Sequence, residues 1–475
     1  AWEPSSLFEV GFQLSFAATW GILYLGPPLG ELFRRWALPR WLSVPLQVTL
    51  AAQAGTLPLL VYYFNLFTPV APLANLLLVP LVGAIMLAGF TGCLAGIVLL
   101  PLGEMVNAVT GLLIDLFLGL AGLLVTLPGS SLYLASPPPH VIPLWYAGLI
   151  FWMEIARGSI NLPLPEAPRK AAAAVCGVIL CAVVLVPWGG TGGKLQVHFV
   201  DVGQGDCILV RFPGGRTMLV DAGGKLGDPE GGLKVGEAVV VPYLRRLGIN
   251  KLDVLVVTHP HGDHYGGVPA VLEKVRVGAL VLSAAADYSA MLSRLAPLDI
   301  PVYRAAAGQA LRLSDQVDVF VLAPVRQTID NLNNASLVLR LDYRDVSFLL
   351  TGDIEREAQR ELLSNGTALR AEVLKVPHHG SELSEPRFFA AVSPELAVVQ
   401  VGYNNRFGHP SAATLDALRA AGARVLRTDR DGAVLVVTDG KEIEVSTARR
   451  HSRGAQAAGC VLNTPAGGIN IPSAR

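Results

Sequence analysis

Charged residues are almost absent from the first 193 residues of this chain, and no other feature constrains its fold as strongly. That segment carries six Lys or Arg and seven Asp or Glu, whereas residues 194–447 carry 27 and 30. The chain is 52% hydrophobic and 16% charged, which is too apolar for a protein that is soluble throughout. A membrane-spanning helix needs about 20 apolar residues, and the candidate spans are residues 8–26, 45–64, 70–100, 105–127, 141–156 and 171–188.

The third candidate span, residues 70–100, is too long for one straight crossing. Pro72 and Pro80, together with several glycines, favour a kinked or broken helix. Broken helices at membrane depth face protein or a water-filled path, so this span is the first candidate for a conduction route. An ordinary long, tilted helix is the alternative interpretation.

Basic residues predict the orientation of these spans. One cluster lies in the first loop and a second precedes the last span: Arg34, Arg35 and Arg40, then Arg157, Arg169 and Lys170. The positive-inside rule places both loops in the cytoplasm, and an even number of intervening crossings agrees with that placement. The protein is then a multi-pass membrane protein, with everything after residue 190 on the extracytoplasmic side. Two crossings within residues 70–100 would break this parity.

Short β-branched runs alternate with helical patterns after the Gly-rich segment 188–193. This alternation predicts a large α/β domain with layered sheets. The final residues are polar, rich in Gly and Ala, and without pattern, which predicts disorder. The predicted organisation is a helical membrane domain (1–190), an α/β domain (191–447) and a disordered tail (448–475). The chain begins without Met inside ongoing sequence, so we expect a fragment of a longer protein.

The run THPHGDHYGG (258–267) holds four potential metal ligands within six residues. It follows LDVLVVT (252–258), an apolar β-branched run typical of a strand that is covered on both faces. His259 and His261 alternate along the exit from that strand and can point to the same side. Asp263 and His264 are displaced toward a second ion, about 3.5–4 Å from the first. A polar turn that happens to be rich in histidine is the alternative.

Two further strand ends offer ligands of the same kind. LLTGD (349–353) ends with Asp353, a suitable bridging carboxylate, and VLKVPHHGS (373–381) carries His378 and His379. Two metal ions need about six or seven protein ligands, and these three segments supply that number. The alternatives are a turn aspartate beside Gly352 and a surface turn for the histidine pair.

These motifs resemble the metallo-β-lactamase superfamily, whose αββα sandwich carries a dinuclear metal site on one rim. The flanking sequences narrow the resemblance to the ComEC family of bacterial DNA-uptake channels. In the second half they are FVDVGQGDCILV (199–210), DAGG (221–224), NNASLVL (333–339), TGD, LKVPHHGS and GHPS (408–411), and in the first half FQLSFAATWGI (12–22) and PLANLLLVPLVG (72–83). The resemblance covers nearly the whole chain apart from the tail.

The resemblance implies a role for each ligand. His259 and His261 match ligands of the first metal, Asp263 and His264 match ligands of the second, and Asp353 matches the bridging carboxylate. The P-x-H-G pattern favours His379 as the last ligand, with His378 as a neighbour that orients it.

One departure from the superfamily concerns the first metal. Many members have a third histidine where this chain has NNASLVL, and Asn333 or Asn334 is a poor substitute. We therefore expect a weakly held first ion. Weaker nitrogen coordination also shifts the preference from Zn²⁺ toward Mn²⁺ or Mg²⁺.

The function implied is DNA transport across the bacterial inner membrane in natural transformation, with metal-dependent hydrolysis of the non-transported strand. Asp263 would accept the proton of the attacking water, and His409 in RFGHPS would donate one to the leaving oxygen or the phosphate. His409 could equally be structural. Further candidates for substrate binding or for orienting ligands are Asp201, Gln204, Asp206, Asn334, Ser336 and Lys375. For the first three, which lie in DVGQGD, the alternative is that they only cap a turn. Lys375 could meet a phosphate, whereas most strand lysines are only solvated.

The expected partners are DNA, the membrane and other competence DNA-uptake proteins. The α/β domain is slightly acidic, so it should bind DNA weakly without help from the metals or a local Arg cluster. Two alternatives remain. One is a membrane-tethered hydrolase of lactones, thioesters or lactams, and the other is a DNA channel whose second domain binds or gates without turnover.

Overall fold

The computed structural model describes residues 4–157, 190–295, 299–326, 330–449 and 469–472. The chain separates into two compact units, the first formed mainly by residues up to Trp188 and the second from Gly189 onward. The predicted architecture, apolar helices followed by an α/β domain, is confirmed.

Long apolar helices build the described part of the first unit. They are α1 (Val10–Arg35), α2 (Arg40–Phe64), α3 (Ala71–Val98), α4 (Leu100–Thr126) and α5 (Val141–Arg157), with a short 3₁₀ helix (Pro4–Phe8) and the strand pair β1 (Leu66–Phe67) and β2 (Leu132–Tyr133). Within residues 4–157, α2, α3 and α4 are long and apolar enough to cross a membrane, and the apolar part of α5 is shorter. The predicted span 171–188 lies outside the described residues.

The helix α3 runs without a break through Pro80, so the expected interruption of residues 70–100 is absent from this described segment. One proline removes a single helical hydrogen bond, and the 28 residues around it stay helical. In the most apolar windows of α3 and α4, only 0% and 6% of the residues are buried. Such apolar exposure is stable only against lipid or further helices.

Two facing sheets form the described part of the second unit. The first has the order β10–β9–β7–β5–β4–β3–β17–β18–β19, and its strands are β3 (Leu195–Phe199), β4 (Ile208–Arg211), β5 (Thr217–Val220), β7 (Val254–Val257), β9 (Leu280–Ser283), β10 (Val302–Ala305), β17 (Val434–Thr438), β18 (Glu442–Thr447) and β19 (Ile469–Pro472). The second is β11 (Asp318–Ala323), β12 (Val338–Tyr343), β13 (Val346–Leu350), β14 (Val373–Lys375), β15 (Leu396–Val399) and β16 (Arg424–Arg427) in that order. A short pair, β6 (Lys251–Leu252) and β8 (Arg276–Val277), lies apart.

A single apolar core joins the two sheets. Phe199 and Val256 of the first sheet and Leu339, Phe348 and Val373 of the second belong to the same buried cluster. A second cluster packs the other face of the six-stranded sheet against the helices Arg356–Ser364, Pro386–Val392 and Ala412–Ala420. The remaining short helices are Pro229–Val235, Gly236–Val240 (a π-helix), Val241–Arg246, Gly262–Tyr265, Val268–Lys274, Ser289–Leu292, Pro377–Gly380 (3₁₀) and Thr428–Asp431.

Parallel pairing decides which residues meet at the rim of this sandwich. The strands β5, β7 and β9 are parallel neighbours in one sheet, and β13, β14 and β15 are parallel neighbours in the other. Parallel strands bring their carboxyl ends to the same edge of a sheet, where ligand sites of open α/β sheets form.

The strand β19 lies within the tail for which composition predicts disorder. Ile469–Pro472 pairs antiparallel with β18 along the edge of the nine-stranded sheet. An edge strand such as β18 presents unpaired backbone N–H and C=O groups, which can pair with an extended segment of almost any sequence. The strand β19 can therefore form although its sequence has no strand pattern. Residues 450–468 lie outside the described residues.

Candidate metal centre

The candidate ligands follow the carboxyl ends of parallel strands. His259 comes two residues after β7, and Asp263 and His264 lie in the short helix Gly262–Tyr265 behind it. Asp353 follows β13, and His379 follows β14 in the opposite sheet. The side chains therefore converge from two sheets on one rim, as the sequence predicts for strand-end ligands.

The inner part of this cluster is closely spaced and buried. The Oδ2 atom of Asp353 lies 3.2 Å from His264 Nε2 and 3.3 Å from His379 Nε2. His379 Nε2 also lies 3.5 Å from Asp263 Oδ2. His264, Asp353 and His379 are no more than 2% exposed. These distances between nitrogen and oxygen atoms are similar to those between ligand atoms that bind the same cation.

His259 and His261 form the other side of the cluster. Their facing ring nitrogens, Nε2 of His259 and Nδ1 of His261, are 2.9 Å apart. His259 is fully buried and forms a compact group of potential ligands with His264 and Asp353. His261 is only partly buried.

The charges of the cluster fit divalent metal ions. Four buried carboxylates, those of Asp206, Asp221, Asp263 and Asp353, surround the histidines. The ammonium group of Lys375 contacts two of them, so neutral imidazoles would leave three negative charges uncompensated. Buried charges are stable only when they are paired or bind metals. His379 Nε2 has no hydrogen-bond partner among the described residues, which also fits a ligand for a cation.

Without metals, protons and carboxylates balance one another in this cluster. Burial would lower the pKa of His264, but Asp353 and Asp221 raise that pKa well above its ordinary value. Burial would raise the pKa of Asp353, but His379, His264 and Lys375 hold it well below its usual range. The protons on the imidazoles thus occupy the place that bound cations would take.

Outer hydrogen bonds fix the ring orientation of the buried ligands. His264 Nδ1 lies 2.8 Å from Asp221 Oδ2, and His379 Nδ1 lies 2.9 Å from the carbonyl oxygen of Gln400. Ser336 Oγ lies 3.2 Å from His259 Nδ1 and accepts a hydrogen bond from the Asp353 N–H at 3.0 Å. Each arrangement leaves the opposite ring nitrogen directed into the cluster, as is usual for histidine ligands.

The histidine pair divides between the centre and its mouth. His379 is 2% exposed and points into the carboxylates, whereas the side chain of His378 is 22% exposed. His378 Nε2 lies 3.9 Å from Asp353 Oδ2, and its Nδ1 lies 3.2 Å from Glu355 Oε1. Both histidines have positive φ values, 46° and 54°, and such backbone strain persists mainly at functional sites.

The DVGQGD turn contributes unevenly. Asp206 joins the cluster, with Oδ1 at 3.4 Å from His379 Nδ1. Asp201 accepts a hydrogen bond from the Gly203 N–H at 3.3 Å, and Gln204 accepts one from the Gly402 N–H at 3.1 Å. The first interaction shapes the turn, and the second joins it to the loop after β15.

Lys375 is fully buried, whereas most lysines on strands face solvent. Its Nζ contacts Asp206, lies 3.3 Å from Asp353 Oδ1 and donates a hydrogen bond to the Gly352 carbonyl at 2.8 Å. The ammonium group is therefore engaged inside the protein and is not placed to contact a phosphate, which was one of the roles considered from the sequence. Lys375 acts as an internal counter-ion, because the strand β14 directs it under the rim.

The NNASLVL segment supports the centre indirectly. Asn334 Oδ1 accepts a hydrogen bond from the Glu355 N–H at 2.8 Å, and Asn333 Nδ2 donates one to Glu355 Oε1 at 2.7 Å. These contacts hold the chain just after Asp353 and beside His378.

His409 lies at the mouth of the centre. Its ring centroid is 5.7 Å from that of His378 and 5.8 Å from that of Phe407. Burial lowers the pKa of His409 to about 4, and His379 and His378 act in the same direction. This shift favours the neutral imidazole, so a protonated donor at this position would need a neighbouring negative charge such as a phosphate.

Asp221, Gln400 and Glu355 are the contributors that sequence reasoning did not identify as site residues. Asp221 stands directly after β5, next to the parallel strand that leads to His259, so strand order would have pointed to it. Gln400 likewise follows β15, the parallel neighbour of β14. Glu355 carries no comparable signal, since it precedes a helix two residues beyond a turn.

Family models match most of the chain in two parts. Residues 1–157 match the model described as Competence protein, and residues 200–386 match the Metallo-beta-lactamase superfamily. Among solved structures, the metallo-beta-lactamase fold protein YhfI from Bacillus subtilis aligns with 13% identity and a TM-score of 0.33, covering 49% of this chain and 96% of that chain.

Curated relatives also match this chain, one of them over most of its length. ComE operon protein 3 of Bacillus subtilis is 30% identical over 451 residues, which cover 91% of this chain and 56% of that protein. Competence protein ComA of Neisseria gonorrhoeae is 35% identical over 237 residues, which cover 49% of this chain and 31% of that protein. The chain thus spans about half of the first relative's length and about a third of the second's. It joins a competence-protein segment to a metallo-β-lactamase domain, and this combination is the domain architecture of the ComEC proteins.

Proposed function

We propose that this chain is part of a DNA-uptake protein of the bacterial inner membrane whose metallo-β-lactamase domain hydrolyses DNA phosphodiesters. The observation that carries the proposal is the buried cluster of histidines and aspartates in a chain that also contains a competence-protein segment. The apolar helices support a membrane location. The positions of the basic loops support an extracytoplasmic metallo-β-lactamase domain, where other competence DNA-uptake proteins would deliver DNA.

Two divalent ions, Mn²⁺ or Zn²⁺ with Mg²⁺ as a further candidate, are the proposed cofactors. His259 and His261 would hold the first ion, while Asp263, His264 and His379 would hold the second. Asp353 would bridge the two ions. Its Oδ2 atom lies close to His379, a ligand of the second ion, and its carboxylate also lies near His259, a ligand of the first. Bound ions of this kind lower the pKa of a water molecule and neutralise charge on a phosphoryl group.

The side chains themselves have separate tasks in this proposal. Asp263 is the candidate acceptor for the proton of the attacking water, because its carboxylate is directed into the cluster. Asp221 and Ser336 orient histidine ligands, and Lys375 keeps two carboxylates charged and in place. His409 stands at the mouth, where its ring N–H would donate a hydrogen bond to the leaving oxygen or to an oxygen of the scissile phosphate.

The test is hydrolysis by the full chain, purified in detergent. Labelled single-stranded and duplex DNA would be incubated with Mn²⁺, Mg²⁺ or Zn²⁺, and the double variant Asp263→Ala, His264→Ala is the control. We expect metal-dependent cleavage by the wild type and none by the variant. Equal cleavage by both proteins would reject the nuclease assignment. Turnover of esters or lactams in place of DNA would favour the tethered hydrolase, and DNA binding without any turnover would favour a gating domain.

A further inference from the structure

An exposed aromatic loop stands beside the candidate metal centre. The aromatic loop comprises residues 402–409, between β15 and the helix Ala412–Ala420. Tyr403 is 83% exposed and Phe407 is 43% exposed. The guanidinium carbon of Arg406 lies 5.0 Å from the centroid of the Phe407 ring. Packing in the apolar core does not explain these two aromatic rings and the arginine, because all three side chains are exposed.

The loop connects to the centre through stacked rings. Phe407 and His409 are nearly parallel, with an interplanar angle of 16° and centroids 5.8 Å apart. His409 in turn contacts His378, whose Nε2 lies 3.9 Å from Asp353 Oδ2. The aromatic surface therefore begins at the candidate bridging carboxylate and continues to solvent.

Hydrogen bonds hold the loop in one conformation. Asn405 Nδ2 donates to the carbonyl oxygens of Gly402 at 3.1 Å and His409 at 2.8 Å. Asn405 Oδ1 accepts from the backbone N–H groups of Phe407 at 3.2 Å and His409 at 3.0 Å. Gln204 anchors the start of the loop through the Gly402 N–H. The rings are thus presented by a fixed frame, which reduces the entropy cost of binding.

The chemistry of the loop fits unpaired nucleotides. Exposed aromatic rings stack bases whatever their sequence, and an arginine contacts the phosphate between them. Duplex DNA hides its base faces and could use only the arginine. A peptide partner would need apolar pockets, whereas Tyr403 stands free of them at 83% exposure.

We propose that the aromatic loop binds single-stranded DNA and delivers an adjacent phosphodiester to the metal centre. Tyr403 stacks a base, the exposed part of Phe407 contacts a neighbouring base, and Arg406 contacts a phosphate. This inference rests on the proposed function for its substrate class and adds where the strand lies and why an unpaired strand is preferred. It also supplies the local attraction that the acidic domain otherwise lacks.

Binding of a non-cleavable oligomer tests the stacking role. The full chain in detergent would be titrated with fluorescent phosphorothioate oligothymidylate of roughly 12 nucleotides, within the usual site size. Tyr403→Ala should weaken binding about tenfold, as expected for loss of one stacked base. Tyr303→Ala is the matched control, because Tyr303 is 58% exposed on the edge strand β10, and it should bind as the wild type does. An abasic oligomer should not discriminate between wild type and Tyr403→Ala.

Salt dependence tests the arginine. Arg406→Leu should reduce the slope of log affinity against log salt by about 0.7, the value for one phosphate contact on a single strand. Arg424→Leu, at an exposed arginine on β16, should leave the slope unchanged.

The inference is overturned if Tyr403→Ala binds the thymidylate oligomer as tightly as the wild type does. Equal loss with Tyr303→Ala, or equal loss for the abasic oligomer, would also overturn it. The two proposals fail separately. A protein that binds bases through Tyr403 but cleaves no DNA refutes the hydrolysis alone, and a protein that cleaves DNA without dependence on Tyr403 refutes the loop alone.

Discussion

The inner and outer sides of the metal centre differ in how firmly the chain holds them. On the inner side, His264 and His379 are buried, and each has its second ring nitrogen within 3 Å of a fixed oxygen. On the outer side, His261 and His378 are partly exposed, and the ring nitrogens of His378 lie 3.2 and 3.9 Å from carboxylate oxygens. Preorganised ligands lose less freedom when a metal binds. We therefore expect a tightly bound inner ion and a weakly bound outer ion.

The largest effect should come from Asp353, which both sides share. Asp353→Ala should remove both ions. Loss of a residue that only hydrogen-bonds a metal ligand lowers activity by up to about 100-fold, and loss of Asp353 should lower DNA hydrolysis by more than that. Metal content after dialysis, measured by mass spectrometry, checks the first outcome, and cleavage of labelled DNA checks the second. Retention of both ions would show that Asp353 does not bridge them.

The histidine pair separates the two sides most directly. His379→Ala should abolish binding of the tighter ion, since His379 faces two carboxylates, whereas His378→Ala should leave that ion in place. Calorimetric titration with Mn²⁺ resolves the two binding steps. If the two variants lose the same step with the same change in affinity, the proposed difference between inner and outer sides is wrong.

The internal counter-ion should matter most when metals are absent. Lys375→Met leaves Asp206 and Asp353 without their ammonium partner, and breaking a buried ion pair costs about 3–5 kcal/mol. The melting temperature of the second unit should fall by about 10 °C in the presence of a chelator. Added Mn²⁺ should recover part of the loss because it supplies the missing positive charge. A melting temperature that is unchanged in chelator would contradict this role of Lys375.

The smallest effect should come from Ser336, which lies behind His259, the buried partner of the outer ligand His261. Ser336→Ala removes the hydroxyl next to His259 Nδ1 and should weaken the outer ion by about tenfold. Ser347→Ala is the control, since Ser347 is another buried serine, and its Oγ accepts a hydrogen bond from Arg340, away from the metal ligands. Equal Mn²⁺ affinities in wild type and Ser336→Ala would indicate that the hydroxyl only positions the Asp353 backbone.

Much of the centre could be predicted from sequence because its ligands follow strands in sequence order. The apolar run before His259 predicts a buried strand, and the same reasoning locates Asp353 and the histidine pair at strand ends. Asp221 and Gln400 escape this reasoning, because their importance depends on which strands are neighbours. Lys375 escapes it as well, since burial of an ammonium is favourable only once Asp206 has arrived from another part of the chain.

The sequence alone determined the division into apolar helices and an α/β domain, since hydropathy and periodicity act over about 20 residues or fewer. It also determined which side chains could bind metal. Tertiary structure decided that His379 points inward while His378 lies at the mouth, because the left-handed backbone at both residues sends adjacent rings to different sides. Tertiary structure also placed the aromatic loop beside the metal centre, through contacts between residues about 200 positions apart.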